Sequence, residues 1–291
     1  MMQVRFWGVR GSIASSGSRL AQVGGNTSCV EVRCGEPGAE QTIILDAGTG
    51  LRDLGAELMR RGPVDAALLV SHFHWDHIQG FPFFVPAYVP GNRVAIYGGG
   101  GGARPGGGCA SLRAAFEAQM RAPHFPVDLG AMRATLEFRE VSPGARFNLG
   151  AVEVRTAAAR HPNGCLAWRL DFDGRSVVYA TDHEHDDSGR PDAGLLELAR
   201  GADVLIYDAQ YTPEEYAAGK RGWGHSTAEE GARLAAAAGA SQLVLFHHDP
   251  GRDDWQVACI EAETRGRFPL TVAAREGLVL TLDGAARKKA A

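Results

Sequence analysis

An α/β domain is the fold class that this 291-residue chain predicts, and three observations lead to it. Short apolar runs recur, among them Ala66-Ala67-Leu68-Leu69-Val70, Val177-Val178-Tyr179-Ala180, Val204-Leu205-Ile206-Tyr207 and Leu243-Val244-Leu245-Phe246. Runs of that length, bounded by turn residues, read as buried strands. Helical stretches at 192–200, 226–238 and 253–265 fill the gaps between them. Finally, five strand-type runs end in a histidine or an aspartate: His72, His161, Asp182, Asp208 and His247. Chance places one or two such residues; five argue for a common rim, the place where α/β proteins hold their chemistry.

Taken in order, residues 3–7, 28–33 and 42–45 read as strands between Gly- and Ser-rich turns, with Asp46-Ala47-Gly48-Thr49-Gly50 closing the third. A helix is expected at 51–61, a strand at 65–71, a short apolar helix or loop at 78–88 and a strand at 93–97. The glycine-rich run 98–108 is not a phosphate loop, because no Gly-Lys-Ser/Thr follows it; a flexible loop is the expectation. A helix at 111–121 and a turn-rich insertion at 122–127 follow, where His124 and Phe125 suit a substrate pocket or a dimer contact. Val152, Val154 and Thr156 alternate along a strand that ends near His161, and two strand-type runs joined by Asp171-Phe172-Asp173-Gly174 lead to Asp182. A last strand is expected at 277–282. The expectation is one domain over 1–284 with a short, frayed basic tail at 285–291.

The composition, 45% hydrophobic and 22% charged, is that of an ordinary globular protein. A net charge of −4 does not advertise a surface for large nucleic acids, although bound cations supply positive charge locally for a small nucleotide. The cysteines Cys29, Cys34, Cys109, Cys165 and Cys259 are scattered and form no C-x-x-C pair, so reduced thiols in a cytoplasm are expected. No secretory signal and no membrane-spanning stretch is read.

The densest chemistry lies in His72-Phe73-His74-Trp75-Asp76-His77, which holds three of the ten histidines in one turn after a strand. Imidazole and carboxylate are metal ligands. A two-metal site needs several ligands per ion and an oxygen between them. His72 and His74 can converge on one ion with His161; Asp76, His77 and His247 can surround a second; Asp182 can bridge the two. A water between the ions would lose its proton near neutral pH and act as nucleophile, with Asp76 orienting it. His248, next to His247, competes for the last ligand position. Zinc or manganese suits such a thiolate-free set, as do iron and nickel.

H-x-H-x-D-H followed by spaced His161, Asp182 and His247 resembles the metallo-β-lactamase superfamily, over nearly the whole chain from Phe6-Trp7-Gly8 onward. The resemblance implies an αββα sandwich of two sheets and a dinuclear site at their edges. Tyr207-Asp208-Ala209, Gly224-His225-Ser226-Thr227-Ala228-Glu229-Glu230 and Leu243-Val244-Leu245-Phe246-His247 resemble the tRNA 3′-processing endonuclease branch and its phosphodiesterase relatives. In that branch the histidine at the His225 position acts on the scissile phosphate or leaving group, steadied by the acid at the Asp208 position. Ser226-x-x-Glu229 reads as a capping box that fixes His225 just before a helix. Gly24-Gly25-Asn26-Thr27-Ser28 resembles a segment lining the site in relatives, which makes Asn26 a substrate-contact candidate, although a Gly-Asn turn also explains it. That segment and Val9-Arg10-Gly11-Ser12-Ile13 resemble a bacterial subgroup of such phosphodiesterases. His183-Glu184-His185-Asp186-Asp187 reads as a solvated acidic loop, with a substrate contact as the second reading.

The endonucleases carry a long tRNA-gripping arm before the bridging aspartate, and here His161 to Asp182 leaves no room for one. The expectation is therefore a phosphodiesterase for a small substrate such as a cyclic nucleotide; dimers are common in that branch, and the oligomeric state is left open between monomer and homodimer. Two alternatives stay open: a carbon-ester hydrolase of the same fold (lactonase, thioesterase or β-lactamase type) and a metal-dependent binding protein without turnover.

Overall fold

A computed structural model describes residues 1–99 and 111–283. Fourteen strands form two seven-stranded sheets. The first holds β1 (Met2–Gly8), β2 (Cys29–Cys34), β3 (Gln41–Leu45), β4 (Asp65–Val70), β5 (Arg93–Gly98) and β6 (Thr135–Glu140). The second holds β7 (Arg146–Leu149), β8 (Val152–Ala159), β9 (Cys165–Phe172), β10 (Arg175–Ala180), β11 (Val204–Asp208), β12 (Gln242–Phe246) and β13 (Thr271–Ala273). The chain then returns to the first sheet as β14 (Val279–Leu282), antiparallel to β1. The α-helices among the described residues are α1 (Leu51–Arg61), α2 (Trp75–Ile78), α3 (Leu112–Gln119), α4 (Ala193–Ala199), α5 (Pro213–Glu215), α6 (Ala228–Ala238) and α7 (Asp254–Arg267).

The period-2 alternation of strand side chains explains why the sheets stack. Ile43, Leu45 and Leu69 point inward and meet Trp168, Tyr179, Ile206, Val244 and Phe246 of the other sheet in one buried core. Their neighbours Ile44, Leu68 and Val70 point outward and pack on Leu51, Leu54 and Leu58 of α1 and on Leu112 and Phe116 of α3. On the far side, Val178, Leu205 and Leu245 pack on Leu195 and Leu198 of α4 and on Ala232 and Ala235 of α6. The result is the expected four-layer αββα sandwich. Central strands buried on both faces explain why they read as continuous apolar runs.

Strand direction puts the chemistry on one rim. β3, β4, β5 and β6 are parallel, as are β10, β11, β12 and β13. β8 pairs antiparallel with β9, which pairs antiparallel with β10, so β8 also points to that rim. Asp46, His72, His161, Asp182, Asp208 and His247 all stand at or just beyond the C-terminal ends of these strands.

Several expectations need correction. Strands β6, β7 and β13 fall where no strand was expected, and 78–88 forms two 3-10 turns, Phe81–Phe83 and Val85–Tyr88, after the short α2. Helix α6 starts at Ala228, not at 226; its cap is Thr227, whose side chain accepts from Glu230 N at 3.3 Å, so Ser226-x-x-Glu229 is not the capping box. Ser226 Oγ is engaged by Tyr207 OH at 3.1 Å and lies 2.9 Å from His185 Nδ1, which is why the cap falls to the next hydroxyl. The run 98–108 and the tail 285–291 lie largely or wholly outside the described residues, as does Cys109.

Candidate metal centre

The hexad leaves β4, crosses Ser71 and enters α2 at Trp75, which splits its donors into two groups. His72, His74 and His161 bring one ring nitrogen each to a common point. His74 Nδ1 and His161 Nε2 lie 3.0 Å apart, and Asp182 Oδ1 stands 3.7 Å from both His72 Nε2 and His161 Nε2. Asp76, His77, Asp182 and His247 form the second group, all buried. In it His77 Nε2 is 3.1 Å from His247 Nε2, 3.2 Å from Asp76 Oδ2 and 3.2 Å from Asp182 Oδ2. His247 Nε2 is 3.2 Å from Asp76 Oδ2 and 3.3 Å from Asp182 Oδ2. Asp182 thus presents one oxygen to each group.

These spacings fit a cation. Donors at about 2.0 Å around a tetrahedral ion stand about 3.3 Å from one another. The five spacings of the second group, 3.1 to 3.3 Å, are close to that edge length. In the first group His72 Nε2 is buried with no hydrogen-bond partner among the described residues, a state costly for a polar atom unless an ion takes the lone pair.

The opposite ring nitrogens are held in the orientation that frees those lone pairs. His77 Nδ1 donates to Asp46 Oδ2 at 2.7 Å and His161 Nδ1 to the Gly224 carbonyl at 2.7 Å. His247 Nδ1 donates to Gln210 Oε1 at 2.9 Å, and His72 Nδ1 lies 3.0 Å from Ser71 Oγ. Such outer partners set the tautomer and aim of metal-ligating histidines. Asp46 also accepts from Ser71 Oγ (2.8 Å), Ser71 N (2.7 Å) and Tyr179 OH (2.8 Å), and Ser12 N donates to Asp76 Oδ2 at 2.7 Å. Two glycines permit this packing. A Cβ on Gly11 would stand 2.4 Å from the His247 ring; one on Gly224, where φ is +86°, would stand 2.2 Å from His161 Nδ1.

Backbone strain concentrates here too. Among the described residues six non-glycine residues have positive φ: Ser12, Asp46, Asn163, Asp173, Asp182 and His247. All but Asp173, which sits in the hairpin turn before Gly174, are donors or touch them; Asn163 Nδ2 lies 3.1 Å from His74 Nε2. Left-handed conformations cost such residues on the order of 1 kcal/mol each and persist where the surroundings over-determine them.

The two groups differ in protonation. Burial, then the neighbouring imidazoles, hold His72 well below its ordinary value, and burial lowers His74 and His161. Burial also opposes charge on His77, but Asp182, Asp76 and Asp46 outweigh it and raise that imidazole well above its ordinary value. Burial likewise opposes charge on Asp182, and His247, His77 and His72 outweigh it, which holds the carboxyl well below the carboxylate range.

Asp208 and His225 adjoin this centre. His225 Nδ1 donates to Asp208 Oδ2 at 2.8 Å and stands 3.8 Å from Asp182 Oδ1. Its ring stacks on His247 with centroids 5.0 Å apart. Burial works against charge on His225, yet the Asp208 carboxylate pushes it up to about 9. Asp208 also accepts from Asp182 N at 3.1 Å and Ser226 N at 3.2 Å, so one carboxylate ties the donor cluster to His225. A cavity of about 450 Å³ opens over the site, lined by Ser12, Phe73, His74, Trp75, Asp76, Asp182 and His225.

The other candidates lie elsewhere. His248 Nε2 donates to the Ala274 carbonyl at 3.0 Å, and burial followed by Arg10 pushes its imidazole down to about 3; it does not face the centre. Asn26 does not line the cavity: its N and Nδ2 donate to Glu276 at 2.6 and 3.2 Å. The 183–187 segment is not simply a solvated loop, because His183 is buried and accepts from Arg160 N at 3.1 Å. Its Glu184 accepts from Gly222 N at 2.6 Å and Gly224 N at 2.7 Å, and so holds the strand of chain that leads into His225. Gln210 was not singled out by sequence, and Asp46, Ser12 and Glu184 were named only within longer segments, with no role at the centre. Only Asp46 carried a signal, since Ile43-Ile44-Leu45-Asp46 is another apolar run ending in an acid.

Comparison with known proteins agrees with the geometry. Residues 41–248 match the family model described as the Beta-lactamase superfamily domain. Ribonuclease Z of Salinibacter ruber is 29% identical over 289 residues, covering 81% of this chain and 84% of that protein. Ribonuclease Z of Brevibacillus brevis is 36% identical over 102 residues, a stretch that spans only 34% of this chain and 30% of that protein. The metallo-beta-lactamase fold protein YhfI of Bacillus subtilis superposes with a TM-score of 0.69 at 21% identity, over 96% of this chain and 98% of that one.

Proposed function

This chain belongs to the metallo-β-lactamase superfamily as a metal-dependent hydrolase, and we propose that the bond it cleaves is a phosphodiester in a small, nucleotide-like substrate. The observation that carries the reading is the Asp208–His225 pair, 2.8 Å long, set on the rim of the cavity that holds the donors.

In this reading His72, His74 and His161 would hold one ion, Asp76, His77 and His247 a second, with Asp182 facing both groups. Divalent ions held there, zinc or manganese in the first instance, would supply Lewis acidity and lower the pKa of a bound water toward neutral. The chain supplies the rest. Asp76, fixed by Ser12 N, orients the water. His225 uses Nδ1 on Asp208, which leaves Nε2 for the substrate; as imidazolium it neutralises charge on a phosphoryl oxygen or protonates the departing alkoxide. A carbon-ester hydrolase of the same fold needs the donors but not this pair, so a His225→Ala variant that keeps its activity would favour that class.

The second sheet supports a small substrate. Between His161 and Asp182 the chain makes only the β9–β10 hairpin, closed at Asp173-Gly174, so no arm extends there to grip a large RNA. The relatives named ribonuclease Z support RNA phosphodiesters as a second reading. The test is activity of the purified protein, with metal content measured on the same sample, against cyclic nucleotides, an activated phosphodiester, a structured RNA, a lactone and a thioester. Cleavage of the small phosphodiesters is expected. Metal-loaded protein that opens only the lactone or thioester would overturn the reading, and cleavage of RNA alone would replace it with the second.

A further inference from the structure

Next to the cavity over the donors lies another of about 560 Å³, and the two share Phe73 and Trp75. These residues alternate with His72, His74 and Asp76 along the chain, so covalent geometry fixes the second cavity beside the candidate ligands. Aromatic rings dominate its wall. Phe83 and Phe125 meet edge to face with centroids 5.6 Å apart. Trp75 is 77% exposed and Phe83 57% exposed, although large apolar side chains are elsewhere mostly buried. Neither ring serves the core, so each presents a free face.

The wall also carries two amide side chains, Gln79 and Gln119. Gln79 directs Nε2 to Thr27 Oγ1 at 3.3 Å, and Gln119 Nε2 is buried with no hydrogen-bond partner among the described residues. Amides set among aromatic rings match a planar heteroaromatic ring, which stacks through its faces and hydrogen-bonds through its edge. The volume lies within the range of small-molecule sites.

We propose that this cavity is the nucleobase subsite of the phosphodiesterase, with Trp75 and Phe83 as stacking platforms and Gln119 and Gln79 reading the base edge. The inference rests on the phosphodiester reading above. His124, foreseen as a pocket or dimer residue together with Phe125, stands in the same wall.

The test compares two chromogenic diesters that release the same p-nitrophenolate: the p-nitrophenyl ester of thymidine 5′-monophosphate and methyl p-nitrophenyl phosphate. The account expects wild type to favour the nucleoside ester in kcat/KM by about tenfold or more, the scale of base–aromatic stacking. In Trp75→Ala and in Phe83→Ala that preference falls several-fold toward one, and in Gln119→Leu it falls with stacking intact. Thymidine 5′-monophosphate, but not ribose 5-phosphate, quenches tryptophan fluorescence of the wild type, and Trp75→Phe removes the quenching, a readout independent of turnover. Equal kcat/KM for both esters in wild type, or a preference unmoved by Trp75→Ala, overturns the subsite while the phosphodiester reading stands. Cleavage of neither ester overturns both. If Trp75→Ala instead converts a dimer to a monomer in sedimentation and leaves the preference unchanged, the aromatic face is a contact between copies and the proposal fails.

Discussion

The two donor groups share Asp182 but differ in charge and in burial. The His72, His74 and His161 group holds three imidazoles that burial keeps neutral, with His74 and His161 partly open to solvent. The Asp76, His77, Asp182 and His247 group holds two carboxylates and is buried throughout. Buried carboxylates need a counter-charge, and without an ion the proton that Asp182, Asp76 and Asp46 keep on His77 supplies it. One group would offer its lone pairs at once; the other would give up a proton to take an ion. Two groups built from similar residues would thus bind ions under different rules, and Asp182 and Asp76, followed by Asp46, set the difference.

The largest expected effect comes from removing what the groups share. Asp182→Ala leaves each without its common oxygen, and metal analysis should show both ions lost and hydrolysis at background. Loss of a single ion would mean that Asp182 serves one group only. Next, His225→Ala should lower kcat toward an alkoxide leaving group by about 10²–10⁴, the usual contribution of a positioned acid, with metal content unchanged. Loss of metal in that variant would make His225 a ligand rather than an acid.

Smaller changes separate the groups. Asp46→Asn should weaken the carboxylate-rich group by about 10–100-fold in metal affinity and the three-imidazole group less, read by chelator competition. Equal weakening would show that the groups do not bind independently. The proton exchange has a sign as well. His77 is raised, so its proton competes with the ion at low pH and affinity of that group climbs as pH rises toward the raised value. The lowered imidazoles of the other group are already neutral there and their affinity should be nearly flat. Calorimetric titrations at two pH values give both slopes. Finally, Asp208→Asn removes the charge that raises His225, so the alkaline limb of the pH–rate profile should move to lower pH than in wild type.

How much of this was legible follows from how each residue signals itself. The seven expected donors could be read because ligand-type side chains stand directly after apolar strands or in one dense turn, and both patterns are local. Asp208 and His225 lie 17 positions apart in sequence yet 2.8 Å apart in space. No spacing rule pairs them, so only the resemblance did. Gln210, Ser12 and Glu184 work through a side-chain amide oxygen, a backbone amide and a carboxylate that accepts from two distant backbone amides, none of which leaves a mark on local sequence. In the fold, the central strands were legible because both faces are buried. β6 and β7 were not, because mixed sequences such as Thr135-Leu136-Glu137-Phe138-Arg139-Glu140 sit at sheet edges, where burial is partial. The helix cap was misplaced by one residue because Ser226 and Thr227 can both cap, and only the tertiary bond from Tyr207 removes Ser226 from the choice.

The account turns on His225 serving a phosphodiester's leaving oxygen, and a leaving-group series tests that most directly. kcat is measured for wild type and His225→Ala on phosphodiesters that differ only in the pKa of the departing alcohol or phenol. If His225 donates the proton, the variant's defect is large for a nucleoside or alkyl alkoxide and shrinks toward none for p-nitrophenolate, which needs no proton to leave. A defect of the same size across the whole series would contradict it.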